Sequence, residues 1–163
     1  MTDTRPVFIP TLYYRDPIAA IRWLERAFGF ELNALVTDAE GRVGHSEMSY
    51  RGAVLAIHSE FSSEALLGPA QFKSPASLAG GCTQMVRITL EQGIDAHCEQ
   101  ARGAGGRITQ EPADQFYGER IYRALDPEGH VWVFAQPVAQ LTFEQMEQAT
   151  GLKFSTSLDE VQS

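Results

Sequence analysis

The chain has 163 residues, a length that suits one compact domain or two small, closely packed units. Hydrophobic residues make up 44%, enough for a substantial core, and no apolar run approaches the ~20 residues that span a bilayer. The 21 Asp and Glu outnumber the 13 Lys and Arg, and the net charge of −8 argues against nucleic acid as a partner.

The N-terminus and the cysteines indicate the compartment. The stretch MTDTRPVFIP lacks the basic and then apolar pattern of a secretion signal. Cys82 and Cys98 have no second pair, so they fit neither a disulfide framework nor a zinc pattern. We expect a cytoplasmic protein in which Cys98 is a buried thiol.

The first part of the chain predicts a strand, a helix and three further strands. Val7 to Tyr14 is rich in β-branched and aromatic residues, which favours a strand. Asp16 is expected to cap the helix, Pro17 to occupy its first position and Gly29 to end it. The remaining strands are predicted at 30–37, 43–50 and 53–58, and we place this unit at residues 1–66.

A change of composition separates this unit from the next. Residues 59–81 are dominated by Ser, Gly, Pro and Ala, with Phe61 and Phe72 as isolated aromatic residues. We place the linker itself at residues 67–81. Because the stretch is long for a plain connection, we expect it to cover a site or to cross between the halves.

The same order of elements then restarts. A strand is predicted at 83–90, a helix at 94–104, a short strand at 107–110 and a hairpin from 120–125 and 130–136. The second unit therefore spans residues 82–138 and repeats a pattern of about 55 residues. A C-terminal helix with tail follows at 139–163, with Thr142 and Gln145 as a capping box, Gly151 as its end and 155–163 frayed.

Three stretches resemble the vicinal oxygen chelate superfamily, which includes glyoxalase, bleomycin-resistance and extradiol dioxygenase-like proteins. They are YRDPIAAIRWLERAFGFE, IDAHCEQARGAGGRI and DQFYGERIYRALDPEGHVWVFAQP. The last contains a Tyr-Gly-x-Arg and an Asp-Pro-x-Gly motif. The resemblance implies an α+β fold in which two tandem βαβββ units form a curved mixed sheet around a cleft, and it identifies the fold better than the reaction.

The resemblance also implies where a metal would bind. Metal-dependent members place one ligand on the first and one on the last strand of each unit. In this sequence those positions fall on Ile9, Ala56, Val86 and Val133. Hydrocarbon side chains offer no N, O or S donor, so we expect no metal cofactor.

The first hairpin predicts a polar patch in the cleft. A two-residue turn at Arg51-Gly52 places His45 opposite His58, with Glu47 on the same face. Three interpretations remain open. The three side chains form a polar wall, they act as general acid and base, or they hold a metal at a non-standard site.

The second hairpin predicts an apolar facing wall. A two-residue turn at Glu128-Gly129 places Tyr122, Ala124 and Val133 on the cleft face, with Trp132 and Phe134 in the core. Thr11, Tyr13, Tyr117 and Tyr122 are the predicted ligand-binding residues. His97 is predicted on a helix surface and His130 beside the turn.

Two functions follow from this picture. The first is a metal-independent protein that binds an aromatic or cationic small molecule, as bleomycin-resistance members do, and that forms a homodimer as relatives often do. The alternative is a lyase, isomerase or hydrolase of the same superfamily that uses His45, Glu47 and His58. A third interpretation is an interaction module that docks through its C-terminal helix.

Overall fold

The computed structural model describes residues 6–158, and its first unit contains one helix and four strands. In chain order these are β1 (Thr11–Tyr14), α1 (Pro17–Phe28), β2 (Glu31–Thr37), β3 (Val43–Tyr50) and β4 (Ala53–Ser59). A short hairpin follows, made of β5 (Phe61–Ser62), helix α2 (Glu64–Leu67) and β6 (Gln71–Phe72), and a 3₁₀ turn at Pro75–Ser77 comes next.

The second unit repeats the order of the first. Its elements are β7 (Met85–Thr89), α3 (Ile94–Gly103), β8 (Arg107–Asp114), β9 (Glu119–Leu125) and β10 (Val131–Pro137), and α4 (Phe143–Thr150) follows. The predicted tail extends to residue 163, and its residues 159–163 lie outside the described part. No helix within residues 6–158 is long and apolar enough to cross a membrane.

The strands form two four-stranded sheets. Their orders are β1-β4-β3-β2 and β7-β10-β9-β8, and within residues 6–158 no strand of one sheet pairs with a strand of the other. In each sheet the strand that comes first in the chain (β1 or β7) runs parallel to the strand that comes last (β4 or β10). All other neighbouring strands are antiparallel. The predicted α+β fold of two βαβββ units is confirmed, with two separate sheets in place of one continuous sheet.

The predicted ends of helix α1 are also confirmed. Oδ1 of Asp16 accepts the backbone N–H of Ala19 at 3.0 Å, and Pro17 occupies the first turn. Gly29 ends the helix with φ of 77°, a left-handed conformation that favours glycine. The capping box of α4 at Thr142 and Gln145 is present as predicted.

Both units share one hydrophobic core. The buried side chains of the two sheets and of α1 and α3 form a single cluster that includes Trp23, Trp132, Phe134 and Cys98. The two helices pack against each other, and Nε1 of Trp23 donates to the carbonyl of Ala104 at 2.8 Å. Each sheet therefore presents one face to the helices and leaves an open face on its other side.

A buried carboxylate joins the first unit to the second. Oδ2 of Asp126 accepts the hydroxyl of Tyr14 at 2.6 Å and Nε1 of Trp132 at 3.0 Å. Its Oδ1 accepts the backbone N–H groups of Glu128 and His130, each at 3.0 Å. Asp126 is only 5% exposed, so these four donors are what compensates its loss of hydration.

The neighbouring Glu128 continues this junction. Its two carboxylate oxygens accept the backbone N–H groups of Arg15 and Asp16, each at 2.8 Å. These groups belong to the connection between β1 and α1, where the start of a helix leaves N–H groups without backbone partners. The Asp-Pro-x-Gly motif therefore fixes the first unit against the second.

Two strand boundaries differ from the prediction. The first strand begins at Thr11 and not at Val7, and Val7 is 89% exposed. Pro6 and Pro10 supply no backbone N–H, so this stretch cannot pair fully. The strand predicted at 107–110 continues to Asp114, because β8 is an edge strand with register shifts that accommodate Pro112.

The predicted register of the second hairpin is wrong by one residue. The turn has three residues and is closed by Asp126 N–H donating to the His130 carbonyl at 3.2 Å. Ala124 therefore pairs with Trp132, and Tyr122 with Phe134. A shift of one residue reverses the faces, so Tyr122 and Ala124 lie in the core.

The structure places His97 differently from the prediction and confirms that His130 flanks the turn. His97 is half-buried, and its Nδ1 lies 2.7 Å from the hydroxyl of Tyr122. Its Nε2 lies 3.2 Å from the carbonyl of Phe28, an acceptor, so this nitrogen carries the proton and Tyr122 donates to Nδ1. His130 is 7% exposed, and its Nε2 donates to the carbonyl of Tyr13 at 2.9 Å.

Replacing the buried carboxylate tests the junction between the units. We expect Asp126→Ala to lower the free energy of unfolding by about 3 kcal/mol or more, because the hydroxyl of Tyr14 and the indole N–H of Trp132 lose their acceptor while buried. Urea denaturation followed by circular dichroism measures this. The control is Asp95→Ala, since Asp95 is an exposed partner of Arg120 and its loss is expected to change stability little. Equal losses in both variants would contradict the role assigned to Asp126.

Candidate binding cavity

The open face of the first sheet carries the predicted polar patch. The hairpin of β3 and β4 pairs Tyr50 with Ala53, as its two-residue turn predicts. The rings of His45 and His58 lie 5.5 Å apart in an edge-to-face arrangement. Nε2 of His45 lies 3.4 Å from Oε1 of Glu47. The structure therefore brings these three side chains to one face.

A buried serine on the opposite face sets this arrangement. The hydroxyl of Ser46 donates to the carbonyl of Ile57 at 2.6 Å and accepts its N–H at 3.0 Å. This side-chain bridge connects β3 to β4 where the regular ladder has ended. Side chains alternate along a strand, so a fixed Ser46 on the helix side holds His45 on the open side.

A cavity of about 620 Å³ lies beside the open face. Its apolar and aromatic lining residues are Tyr13, Val36, Val43, Phe61 and Phe72, and its charged or titratable ones are Asp38, Arg42, His58 and Glu60. All lining residues fall between positions 13 and 72. The first unit and the β5–β6 hairpin therefore build this cavity, and the prediction that the second hairpin supplies its facing wall is wrong.

His58 supplies an unpaired polar atom in the cavity wall. Its Nε2 is buried and has no hydrogen-bond partner among the described residues. Burial, and to a smaller extent the nearby His45, lower the pKa of His58 below its ordinary value. The imidazole is therefore neutral near pH 7, and a turn of its ring would be needed to bring Nε2 to a bound molecule.

Tyr13 adds a flat aromatic surface next to His58. The two residues are neighbours across the parallel pair of β1 and β4, and their rings meet edge to face at 5.7 Å. Tyr13 stacks on Phe72, with ring centroids 4.4 Å apart and planes 4° from parallel. Burial raises the pKa of the Tyr13 phenol, so its hydroxyl stays protonated and can donate a hydrogen bond.

Two carboxylates and one guanidinium give the cavity its charge. Burial opposes ionisation of Glu60, but hydrogen bonds from Ser77 and Ser74 and the charge of Lys73 outweigh it and lower its pKa. At the exposed rim, Nε of Arg42 donates to Oδ2 of Asp38 at 2.7 Å. Lys73 lies 3.8 Å from Glu60, so with His58 neutral the two carboxylates are balanced by Arg42 and Lys73.

The other predicted ligand-binding residues lie elsewhere. Thr11 lines a neighbouring cavity of about 430 Å³ that also borders Tyr13 and Phe72. Tyr117 packs edge to face on Phe116 at 5.1 Å, and Phe116 contacts Phe154 beyond α4. Tyr122 is fully buried, and burial raises its pKa. Tyr117 and Tyr122 are therefore separate from the cavity of the first unit.

Sequence reasoning missed the hairpin that completes the cavity. Phe61 pairs with Phe72 across β5 and β6, and both rings line the cavity. The Ser, Gly and Pro residues around them suggested a linker, and each strand has only two residues, too short for an alternating pattern. The available signal was the pair of aromatic residues in an otherwise polar stretch.

The comparisons with known proteins agree with this architecture. The model of the Glyoxalase/Bleomycin resistance protein/Dioxygenase superfamily matches residues 8–134. The chain therefore belongs to this superfamily. The part of the chain that the superfamily model matches includes both βαβββ units and ends within β10.

Individual relatives and solved structures extend this finding. An uncharacterised protein of Mycobacterium bovis is 24% identical over 147 residues, which are 90% of this chain and 93% of that protein. TioX from Micromonospora sp. ML1 has a TM-score of 0.65 and 25% identity, covering 82% of this chain and 99% of TioX. The fosfomycin resistance protein FosX of Listeria monocytogenes has a TM-score of 0.57 and 12% identity, covering 87% and 98%, which shows the fold alone.

The residues at the superfamily's metal positions do not fit a metal ion. On the open faces, Ala56 lies beside Thr11 and Val133 beside Arg87. Of the other two expected positions, Ile9 precedes β1 and Val86 packs against the core. A guanidinium repels a cation, and a neutral hydroxyl beside two hydrocarbon side chains is a weak ligand.

Another cluster has the composition of a metal site. Potential ligand atoms of Cys98, Glu99 and Glu111 lie within 4.8 Å of one another, the sole such group of three in residues 6–158. Arg102 already pairs with Glu111 at 2.7 Å and with Glu99 at 3.3 Å. Burial raises the pKa of the Cys98 thiol, which disfavours the thiolate that metals prefer. His45, Glu47 and His58 do not meet the same distance limit.

The two partly buried histidines predict how stability depends on pH. Burial lowers the pKa of both His58 and His97, so below their ordinary pKa of about 6.5 the unfolded chain binds more protons than the folded chain. We therefore expect the free energy of unfolding to fall as the pH drops from about 7.5 to about 5.5. Chemical denaturation across this range measures the slope, which should be smaller in His58→Gln and in His97→Gln. A wild-type stability that is constant or rises on acidification would contradict these assignments.

Proposed function

We propose that this protein binds a small, flat organic molecule in the cavity of the first unit without the help of a metal. The observation that carries this proposal is the aromatic lining of the cavity beside His58, whose buried Nε2 has no hydrogen-bond partner among residues 6–158. A buried polar atom without a hydrogen bond is costly, and a turn of the His58 ring that brings this atom to a bound ligand would satisfy it. The shape and chemistry of the remaining lining support the same function.

The lining favours an aromatic ligand with a positive charge. Tyr13, Phe61 and Phe72 offer aromatic surfaces, which bind flat apolar groups by stacking. The net charge of −8 of the chain favours a cation over an anion, while Arg42 and Lys73 balance the two carboxylates at the cavity. The lack of fitting donors at the superfamily's metal positions supports binding without a metal.

An aromatic cation tests this proposal directly. We expect proflavine, a flat fluorescent cation, to bind with micromolar affinity, and Phe72→Ala to weaken binding by about tenfold because a stacking partner is lost. Fluorescence anisotropy measures the affinity. The flat anion fluorescein should bind more weakly than proflavine.

A matched variant controls for loss of an exposed aromatic ring. Phe143 is 47% exposed and stacks on Phe154 away from the cavity, whereas Phe72 is 37% exposed and stacks on Tyr13. Phe143→Ala should bind proflavine as the wild type does. If Phe143→Ala and Phe72→Ala lose affinity equally, or if fluorescein binds as tightly as proflavine, the proposed site is wrong.

Acid–base catalysis in the same cavity is a second candidate function. It is favoured by the neutral imidazole of His58, which can take a proton from a bound molecule. His45 lies next to it, and Glu47 contacts His45. A lyase, isomerase or hydrolase reaction would fit this arrangement.

One substitution separates binding from catalysis. If His58 only contacts the ligand, His58→Gln should weaken proflavine binding and leave the composition of a metabolite mixture incubated with the protein unchanged. If His58 is a general base, the wild type should convert a component of that mixture and His58→Gln should not, as measured by mass spectrometry. Conversion by both proteins would exclude His58 as the base.

We also propose that the protein is a cytoplasmic homodimer. Exposed apolar side chains support an interface, among them Leu66 at 76%, Met85 at 56% and Leu152 at 54% exposure. Sedimentation analysis should give twice the mass of the chain. A monomer at micromolar concentration would contradict the dimer and leave the binding proposal unaffected.

A further inference from the structure

We propose a second binding site, at the junction of the two units, for a small carboxylic acid with an apolar body. The site is a cavity of about 470 Å³ bordered by the segment before β1, the turn between β3 and β4, and strand β7. It shares no lining residue with the cavity of the first unit. This site is therefore independent of the function proposed above.

The cavity has an apolar wall that suits a hydrocarbon or aromatic body. Phe30 and Leu55 are each 4% exposed and belong to the core, and Val86 and Ile88 pack against that core. Phe8 also lines the cavity but exposes 87% of its surface. A ligand that covers Phe8 would remove this apolar area from water, which favours binding.

The charged lining residues of this cavity are all positive. Arg51 and Arg87 line it, and no Asp or Glu does so among the described residues. This contrasts with the acidic chain as a whole and with the cavity of the first unit, which is lined by Asp38 and Glu60. An apolar cavity with two guanidinium groups selects a ligand with an apolar body and an anionic head.

Arg51 is held in place but is weakly paired. Its guanidinium lies 5.9 Å from the centroid of the Tyr50 ring, within range of a cation–π contact. Its carboxylate partner Glu91 lies 3.2 Å away but has an 85% exposed side chain. Such an exposed ion pair contributes little, so a ligand carboxylate can replace Glu91 at low cost.

The backbone at Arg51 also points to a role for its side chain. Arg51 has φ of 49° and Gly52 has φ of 83° in the two-residue turn between β3 and β4. Asn, Asp or Gly would adopt the first of these left-handed conformations more easily than Arg. Arginine at this position therefore does not stabilise the turn conformation, but it does place a guanidinium in the cavity wall.

Arg87 can bind a ligand without losing its own partner. It pairs with Glu119 on the open face of the second sheet, and its side chain is 47% exposed. A guanidinium has five N–H donors in a planar fork, so donors remain for a second carboxylate. Arg51 and Arg87 thus supply, from different units, the two guanidinium groups that bind the anionic head of the ligand.

Three linear ligands of eight carbons each, with different terminal groups, test this inference. We expect octanoate to bind saturably in isothermal titration calorimetry, 1-octanol to bind much more weakly and octylamine not to bind. Arg51→Gln and Arg87→Gln should each weaken octanoate binding by about tenfold or more, because each removes charge-assisted hydrogen bonds. Equal affinity for octanoate and 1-octanol would overturn the proposal.

Three variants complete the test. Arg107→Gln removes an exposed arginine of β8 outside the cavity and should bind octanoate as the wild type does. Ala53→Phe fills the cavity from its exposed edge, keeps both arginines and should abolish binding. Phe72→Ala should leave octanoate binding unchanged, so the two sites can fail separately. Octanoate binding that survives Ala53→Phe, or that Arg107→Gln weakens as much as Arg51→Gln does, would overturn the proposal.

Discussion

The buried carboxylate of Asp126 is the contact on which the rest of the structure depends. It binds the hydroxyl of Tyr14 in the first unit, the indole of Trp132 in the second and two N–H groups of its own turn. With Glu128 on the start of α1, it fixes the end of β1 against the β9–β10 turn. Both proposed sites depend on this junction, since β1 borders one cavity and the segment before it borders the other.

The two cavities differ in the chemistry of their lining residues. The first is built by one unit and its β5–β6 hairpin, and it combines aromatic rings, a neutral imidazole and carboxylates. The second is built by both units and combines apolar side chains with two guanidinium groups. An acidic chain can hold such a proposed anion-binding site where guanidinium groups line a cavity, because their local positive charge opposes the net charge of the chain.

The accuracy with which the sequence predicted each hairpin depended on the length of its turn. The Arg51-Gly52 turn has two residues, so the register of its hairpin and the proximity of His45 and His58 followed from alternation alone. The turn after Asp126 has three residues, and its side-chain hydrogen bonds are long-range information that a local pattern does not contain. The resulting slip placed Tyr122 and Ala124 on the wrong face. The Phe61–Phe72 hairpin was missed for a different reason, because its strands of two residues are too short to show alternation.

The single shared core has a consequence for how this chain can vary. The sequence has the form of a duplication, but Trp23 and Phe28 of one half pack with Trp132 and Phe134 of the other. Neither half has a complete interior of its own. An exchange of one half with that of a distant relative would therefore place side chains in contact that do not fit one another, and the chimera is expected to lose packing in the shared core.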